Sequence, residues 1–196
     1  MEDRKLNEQE SLALIADMIR NTQNKMERHA GTPFLIWGYT TVIISIAVSA
    51  LVTLTHNHYW QFLWLALPII SLPSTYLVNR NSTKEVKTYI DKIVSQIWLV
   101  FGIAGFMVSL SGVIVYRFPV LFCVILLMGM GTALTGLIIK FKPCIWGGFI
   151  AMALSYLNFL FTGTNSILIF AAVFIIMMVI PGHILNARAK KSNHGE

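Results

Sequence analysis

Six long apolar stretches, separated by short polar segments, make up most of this chain. They cover residues 33–54, 59–78, 93–116, 118–139, 143–161 and 166–185. A helix of about 20 apolar residues crosses a hydrocarbon core of roughly 30 Å, and each stretch has about that length. The pattern therefore predicts an all-α, polytopic membrane protein whose six transmembrane helices form one domain over residues 33–187.

The first 32 residues are polar and predict a separate cytosolic amphipathic helix. One face carries mostly apolar side chains at helical spacing: Leu12, Ile15, Ile19, Thr22 and Met26. Gly31 predicts the end of this helix, and Pro33 predicts the start of the next one. Three interpretations of the apolar face stay open: packing on the protein's own cytosolic loops, lying on the membrane surface, or docking a partner helix or a second copy.

A second polar element precedes the third apolar stretch. Ser82 and Glu85 have the spacing of a capping box, so we expect one helix from Thr83 to Tyr116. A helix of that length spans about 50 Å, and its first turns would project into the cytosol. Its apolar positions there complete the set of candidate partner-docking residues, which are Leu12, Ile15, Ile19, Met26, Val86, Tyr89 and Ile90.

Basic residues lie almost entirely on one side of the predicted membrane. Of fifteen Lys and Arg residues, all but Arg117 fall before the first crossing, after the last one, or in the two loops on that same side. Short loops rich in Lys and Arg stay cytoplasmic, so both termini, including the basic tail 188–196, are expected in the cytoplasm. The net charge of +6 thus indicates anionic lipid headgroups as partners, and no nucleic acid.

The chain also repeats itself with a period of two crossings. An Ile-Trp pair opens each odd-numbered crossing, and a similar group ends each even-numbered one. The matched positions lie 36, 37 and 35 residues apart: Trp37 to Pro73, Trp98 to Thr135, and Trp146 to Pro181. Interfacial Trp residues are common in any membrane helix, but the matched spacing favours three helical hairpins related by duplication.

Small residues form seams at helical spacing on the odd-numbered crossings. In the third crossing the seam comprises Gly102, Gly105, Ser109 and Gly112. The same pattern recurs in the first crossing (Gly38, Thr41, Ser45) and the fifth (Gly148, Ala151, Ser155, Asn158), and continues on the fourth (Gly129, Thr132, Gly136). Membrane helices approach each other closely at small residues, which is the structural interpretation. The functional interpretation is a central groove lined by Ser109, Ser155 and Asn158.

Several chemical classes are disfavoured by what the apolar stretches lack. None contains Asp, Glu, Lys or Arg, the residues that mark ion-coupled transport and proton relays within membranes. The sequence also has no zinc-protease helix, nucleophile elbow or phosphate-binding loop, and no full set of metal ligands. We therefore expect no enzyme, no cofactor and no metal centre.

The segment from Leu12 to Tyr39, which ends in Phe-Leu-Ile-Trp-Gly-Tyr, resembles small uncharacterised polytopic inner-membrane proteins of bacteria. That resemblance implies the bacterial inner membrane as the location. The expected function is that of a non-enzymatic sensor, regulatory or accessory module that acts through its cytosolic helical face on a cytosolic or membrane protein, or on a second copy. The alternative is a channel or carrier for a small neutral or lipophilic compound.

Overall fold

The computed structural model describes residues 7–81, 89–115, 118–161 and 163–193. Within these ranges all regular structure is helical. The elements are α1 (Glu8–Thr55), a 3₁₀ segment (His58–Leu65), α2 (Ala66–Asn81), α3 (Tyr89–Ile114), α4 (Val120–Ile138), α5 (Lys142–Ser155), α6 (Leu157–Leu160), α7 (Thr164–Phe174), a π-helical segment (Ile175–Val179) and α8 (Ile180–Asn193).

Among the described residues, six helical stretches are long and apolar enough to cross a membrane, so the chain is a multi-pass membrane protein. They are Gly31–Thr55, His58–Val78, Ile90–Gly112, Val120–Ile138, Lys142–Leu160 and Thr164–Arg188. The number and positions agree with the six predicted crossings. The second crossing combines the 3₁₀ segment with α2, the fifth combines α5 with α6, and the sixth runs from α7 through the π-helical segment into α8.

Helix α1 is continuous for 48 residues, and the predicted break at Gly31 and Pro33 is wrong. Pro33 removes one backbone N–H, which leaves only the carbonyl of His29 without its helical partner. Ending the helix would expose several such groups close to lipid, where each costs several kcal/mol. Gly31 serves another purpose, because a Cβ there would collide with the Asn186 side chain of α8.

Three of the described crossings depart from regular α-helix, and the fifth does so at Tyr156, between α5 and α6. The second crossing begins with Asn57, whose Oδ1 accepts a hydrogen bond from the Tyr59 backbone N–H at 3.0 Å, and continues as the 3₁₀ segment. The sixth widens into the π-helical segment directly before Pro181, whose ring and missing N–H disturb the preceding turn. The third crossing is a regular helix over Tyr89–Ile114; its predicted ends at Thr83 and Tyr116 lie outside the described residues.

The sixth crossing lies at the centre of the bundle. It packs on α1 on one side and on α5 on the other, while α2 packs on α1, α4 packs closely on α5, and α3 packs on α4. The most extensive contacts, α4 with α5 and α1 with the sixth crossing, join helices from different predicted hairpins. The duplication into three hairpins stays a prediction.

The core follows from this arrangement. Its larger cluster begins at the end of the bundle that carries most Lys and Arg residues, which we call the basic end, and extends to Ile125 and Phe170 in the opposite half. That cluster includes Phe34, Ile139, Phe141, Cys144 and Leu185. The opposite half holds a smaller cluster of Ile44, Val48, Val52 and Ile167. Most side chains of α2 and α3 lie outside both clusters and stay exposed.

Candidate functional site at the basic end

A tight turn between α4 and α5 shapes the basic end. Lys140 adopts a left-handed conformation with φ of 54°, and the Phe141 backbone N–H donates to the Gly136 carbonyl at 2.8 Å. This pattern satisfies the last carbonyls of α4. It also turns Phe141 into the core, where its side chain is fully buried, while Lys140 and Lys142 remain exposed.

The sixth crossing closes over this turn. The guanidinium carbon of Arg188 lies 5.0 Å from the centre of the Phe141 ring, within the range of a cation–π interaction. The ring therefore holds one cation of α8 beside the lysines of the neighbouring turn. This places Arg188, Lys140 and Lys142 around one buried aromatic residue.

Trp98 joins three helices at the same end. Its indole Nε1 donates a hydrogen bond to Thr135 Oγ1 on α4 at 3.1 Å, and its ring meets Phe34 of α1 edge to face at a centroid distance of 5.7 Å. Thr135 in turn donates to the Gly131 carbonyl at 2.8 Å. The indole is thus satisfied in an apolar setting, and α3 is fastened to both α1 and α4.

A second polar contact links the first and sixth crossings. The Tyr39 hydroxyl and His183 Nε2 lie 2.5 Å apart, and their rings meet edge to face with centroids 5.8 Å apart. Both side chains are exposed. Sequence reasoning missed this pair because the partners are 144 positions apart and no local pattern connects them.

The structure describes only part of the predicted partner-docking set. Leu12 is 67% exposed, as a docking residue would be. Ile90 instead packs half-buried against the larger core cluster. Ile15, Ile19 and Met26 belong to α1 and Tyr89 opens α3, but their side chains lie outside the described part of the structure, as does all of Val86.

Two of the three predicted groove residues come together, and the third lies elsewhere. Asn158 Nδ2 donates to the Ser155 carbonyl at 3.2 Å, and its Oδ1 accepts from Ser166 Oγ at 2.6 Å. Ser155 Oγ donates a hydrogen bond to the Met152 carbonyl at 2.6 Å. These bonds tie the end of the fifth crossing to the start of the sixth.

Ser109 lies exposed on α3, where its hydroxyl donates to the Gly105 carbonyl at 2.8 Å. Helices α3 and α5 both pack on α4 and have at most marginal contact with each other. The three seams therefore do not face one another across a common groove.

Neighbouring helices fill most of the small-residue seams. A Cβ on Gly129 would lie 3.0 Å from the Gly148 carbonyl oxygen, and one on Gly148 would lie 2.6 Å from both the Ala133 nitrogen and the Gly129 oxygen. On α1, a Cβ on Gly38 would meet Val179 at 2.9 Å. Gly102 on α3 is the contrasting case, since nothing lies within 4 Å of its Cβ position. These seams serve close packing of α4 on α5 and of α1 on the sixth crossing.

One polar feature of the second crossing gave no signal in the sequence. The hydroxyls of Ser71 and Thr75 are buried and have no hydrogen-bond partner. Serine and threonine are ordinary in membrane helices, so nothing marked these two in advance. Over the described ranges, no three His, Cys, Asp or Glu side chains come close enough to hold a metal ion. Comparison with family models, with curated protein sequences and with solved structures gave no match.

Proposed function

We propose that this protein is a non-enzymatic module of the bacterial inner membrane, a sensor, regulator or accessory subunit. Its cytosolic face acts through the part of α1 that precedes the membrane. The observation that carries the proposal is the continuity of α1 from Glu8 to Thr55. Only Gly31–Thr55 is apolar enough to span, so the same helix extends about 35 Å further at 1.5 Å per residue.

Continuity matters because a helix without a break transmits rotation and tilt. Inside the bundle α1 packs on α2 and on the whole sixth crossing. A change in that packing would therefore reorient the outer part of α1, by which we mean the residues that precede Gly31. That outer part carries the exposed Leu12 and the predicted apolar stripe. An amphipathic helix laid into the groove of a partner is a common mode of recognition.

The channel or carrier alternative has less support. Ser155 and Asn158 already use their hydrogen-bonding atoms within the turn, and the seams of α4 and α5 are occupied by each other's backbone. Flux of small neutral compounds into liposomes, abolished by Asn158→Leu and Ser109→Leu, would favour the alternative over the module.

The proposal is tested by photo-cross-linking in native membranes. A photoreactive residue at position 12 should capture one defined protein, whereas the same residue at position 146 should capture only lipid, because Trp146 is 66% exposed on a membrane-spanning helix. Leu12→Glu should reduce the yield of the endogenous complex by about tenfold, the loss that about 1.4 kcal/mol of contact energy produces. Unchanged complexes and phenotypes after deletion of residues 2–28 would contradict the proposal.

A further inference from the structure

Within the described residues, helix α2 packs mainly on one neighbouring helix. Between Ala66 and Val78 only Ser71 is fully enclosed, while the large apolar side chains around it are mostly exposed. Apart from the 3₁₀ segment that precedes it, α1 is the one helix on which the described part of α2 packs to any extent. Whatever encloses Ser71 therefore belongs mainly to α1.

The face of α2 that contacts α1 contains two buried hydroxyl groups without hydrogen bonds, which makes the contact unfavourable. Ser71 and Thr75 are one helical turn apart and share a face, and both hydroxyls are buried without a partner. Other hydroxyls in the crossings behave differently: Ser74 on α2 itself donates to the Ile70 carbonyl at 2.7 Å, and Ser45 on α1 donates to the Thr41 carbonyl at 2.6 Å. A buried hydroxyl without a bond loses its hydration and receives nothing in return, so this docked position of α2 is destabilised.

The backbone of the second crossing also contains two features that allow its helical geometry to change. Its 3₁₀ segment is eight residues long, whereas such helices seldom exceed three or four residues because their hydrogen bonds are poorer. Pro73 lies inside α2 and leaves the Ile69 carbonyl without a helical donor. Each residue converted from 3₁₀ to α geometry turns α2 by about 20° and draws it in by about 0.5 Å.

We propose that α2 is a movable helix with two positions on α1. One is the docked position described above. In the other, conversion of part of the 3₁₀ segment to α-helix rotates α2, so that Ser71 and Thr75 leave the dry contact and bond to backbone carbonyls, water or lipid. This device stands apart from docking at the cytosolic end of α1, and either proposal can fail without the other.

Distances between spin labels on exposed positions test the motion in the full chain. Leu54 on α1 is 78% exposed and Tyr76 on α2 is 66% exposed, so Leu54→Cys with Tyr76→Cys reports on α2 without touching the interface. Leu137→Cys on α4 with Ala153→Cys on α5 is the control pair, because both sites are exposed on tightly interlocked helices. Both pairs are placed in a background with Cys123→Ala and Cys144→Ala.

Pulsed electron paramagnetic resonance in lipid nanodiscs should give two distances for the α1–α2 pair and one narrow distance for the control pair. Replacing Ser71 by Ala together with Thr75 by Val removes the unpaired hydroxyls. It should leave a single α1–α2 distance and raise the thermal midpoint by about 2–4 °C. Ser74→Ala, whose hydroxyl is already bonded, should change neither.

An α1–α2 distance in the otherwise unaltered chain as narrow as the control would overturn the proposal. So would two distances that persist unchanged after both hydroxyls are removed, since the motion would then have another cause. A lower midpoint in the Ser71→Ala, Thr75→Val variant would show that the hydroxyls have partners in the docked position and would equally refute it.

Discussion

Glycines of the small-residue seams show what single residues contribute to this bundle. Where α4 meets α5, the backbone of one helix occupies the space that a side chain of the other would need. Lipid offers little hydrophobic drive for helices to associate, so close contact of this kind supplies much of the attraction. Gly102 has the same residue type and a similar place in the sequence pattern, yet faces open space.

Alanine substitutions should separate these two classes of glycine. A Cβ at position 148 would lie 2.6 Å from backbone atoms of α4, which cannot move without separating the helices. Gly148→Ala should therefore destabilise the protein by about 1–3 kcal/mol, as overpacking typically does. Gly102→Ala should be neutral or slightly stabilising. Thermal unfolding of both variants in detergent can be monitored by size-exclusion chromatography. Equal unfolding midpoints for the two variants would contradict the packing interpretation.

Residue types were easier to predict than their partners. Sequence reasoning selected Ser155 and Asn158 to line a groove, whereas in the structure both residues use their hydrogen-bonding groups within the chain. It did not find the contact between Tyr39 and His183, and it placed Ser109 with Ser155 although α3 and α5 hardly meet. Spacing along one helix reveals a shared face, whereas contacts between helices depend on which crossings become neighbours.

At the scale of elements, the length of each apolar stretch predicts where the chain crosses the membrane. Glycine and proline residues near the ends of these stretches predict the helix ends less well. The six stretches could be predicted because a helix satisfies the backbone groups of a single apolar stretch of this length in lipid. Gly31 and Pro33 resemble a helix end in any sequence pattern, but the helix continues through both. One missing hydrogen bond at Pro33 costs less free energy than ending a helix near the membrane. A short sequence pattern contains no information about that second cost.

The contact between Trp98 and Thr135 should couple α3 energetically to α4. Trp98→Phe removes the indole N–H and Thr135→Val removes its acceptor, so the double variant should lose less stability than the two single losses combined. Interhelical bonds in membranes average about 0.6 kcal/mol, which is the coupling expected from a double-mutant cycle measured by unfolding in micelles.

Thr132→Val provides the matched control for that cycle. Thr132 lies three residues before Thr135 on α4, and its hydroxyl donates a hydrogen bond to the Met128 carbonyl at 2.8 Å. Trp98→Phe and Thr132→Val should therefore be additive. A coupling as large as that of the Trp98–Thr135 pair would mean that the cycle reports general repacking of α4 and not this bond.

At the scale of the whole molecule, charge predicts the orientation that the helices alone leave open. Lys140, Lys142 and Arg188 meet at one end of the bundle, and positively charged short loops remain in the cytoplasm. His58→Cys, at the opposite end, should react with a membrane-impermeant maleimide in intact cells. Asn193→Cys should react only after permeabilisation, with both variants in a cysteine-free background. The reverse pattern of labelling would show the opposite orientation.

The position of the sixth crossing has a consequence for biosynthesis. Tyr39 and His183 are separated by 144 residues, which a ribosome adds in roughly 7–30 s at typical rates of synthesis. Throughout that interval the first crossing is already in the bilayer, while the surface that will fill its seam has not yet been made. The seam of α1 therefore gains its final neighbour only when the last helix has been made. A chain that ends before Ile180 would lack the packing of α8 on α1, and we expect it to be degraded faster than the full chain.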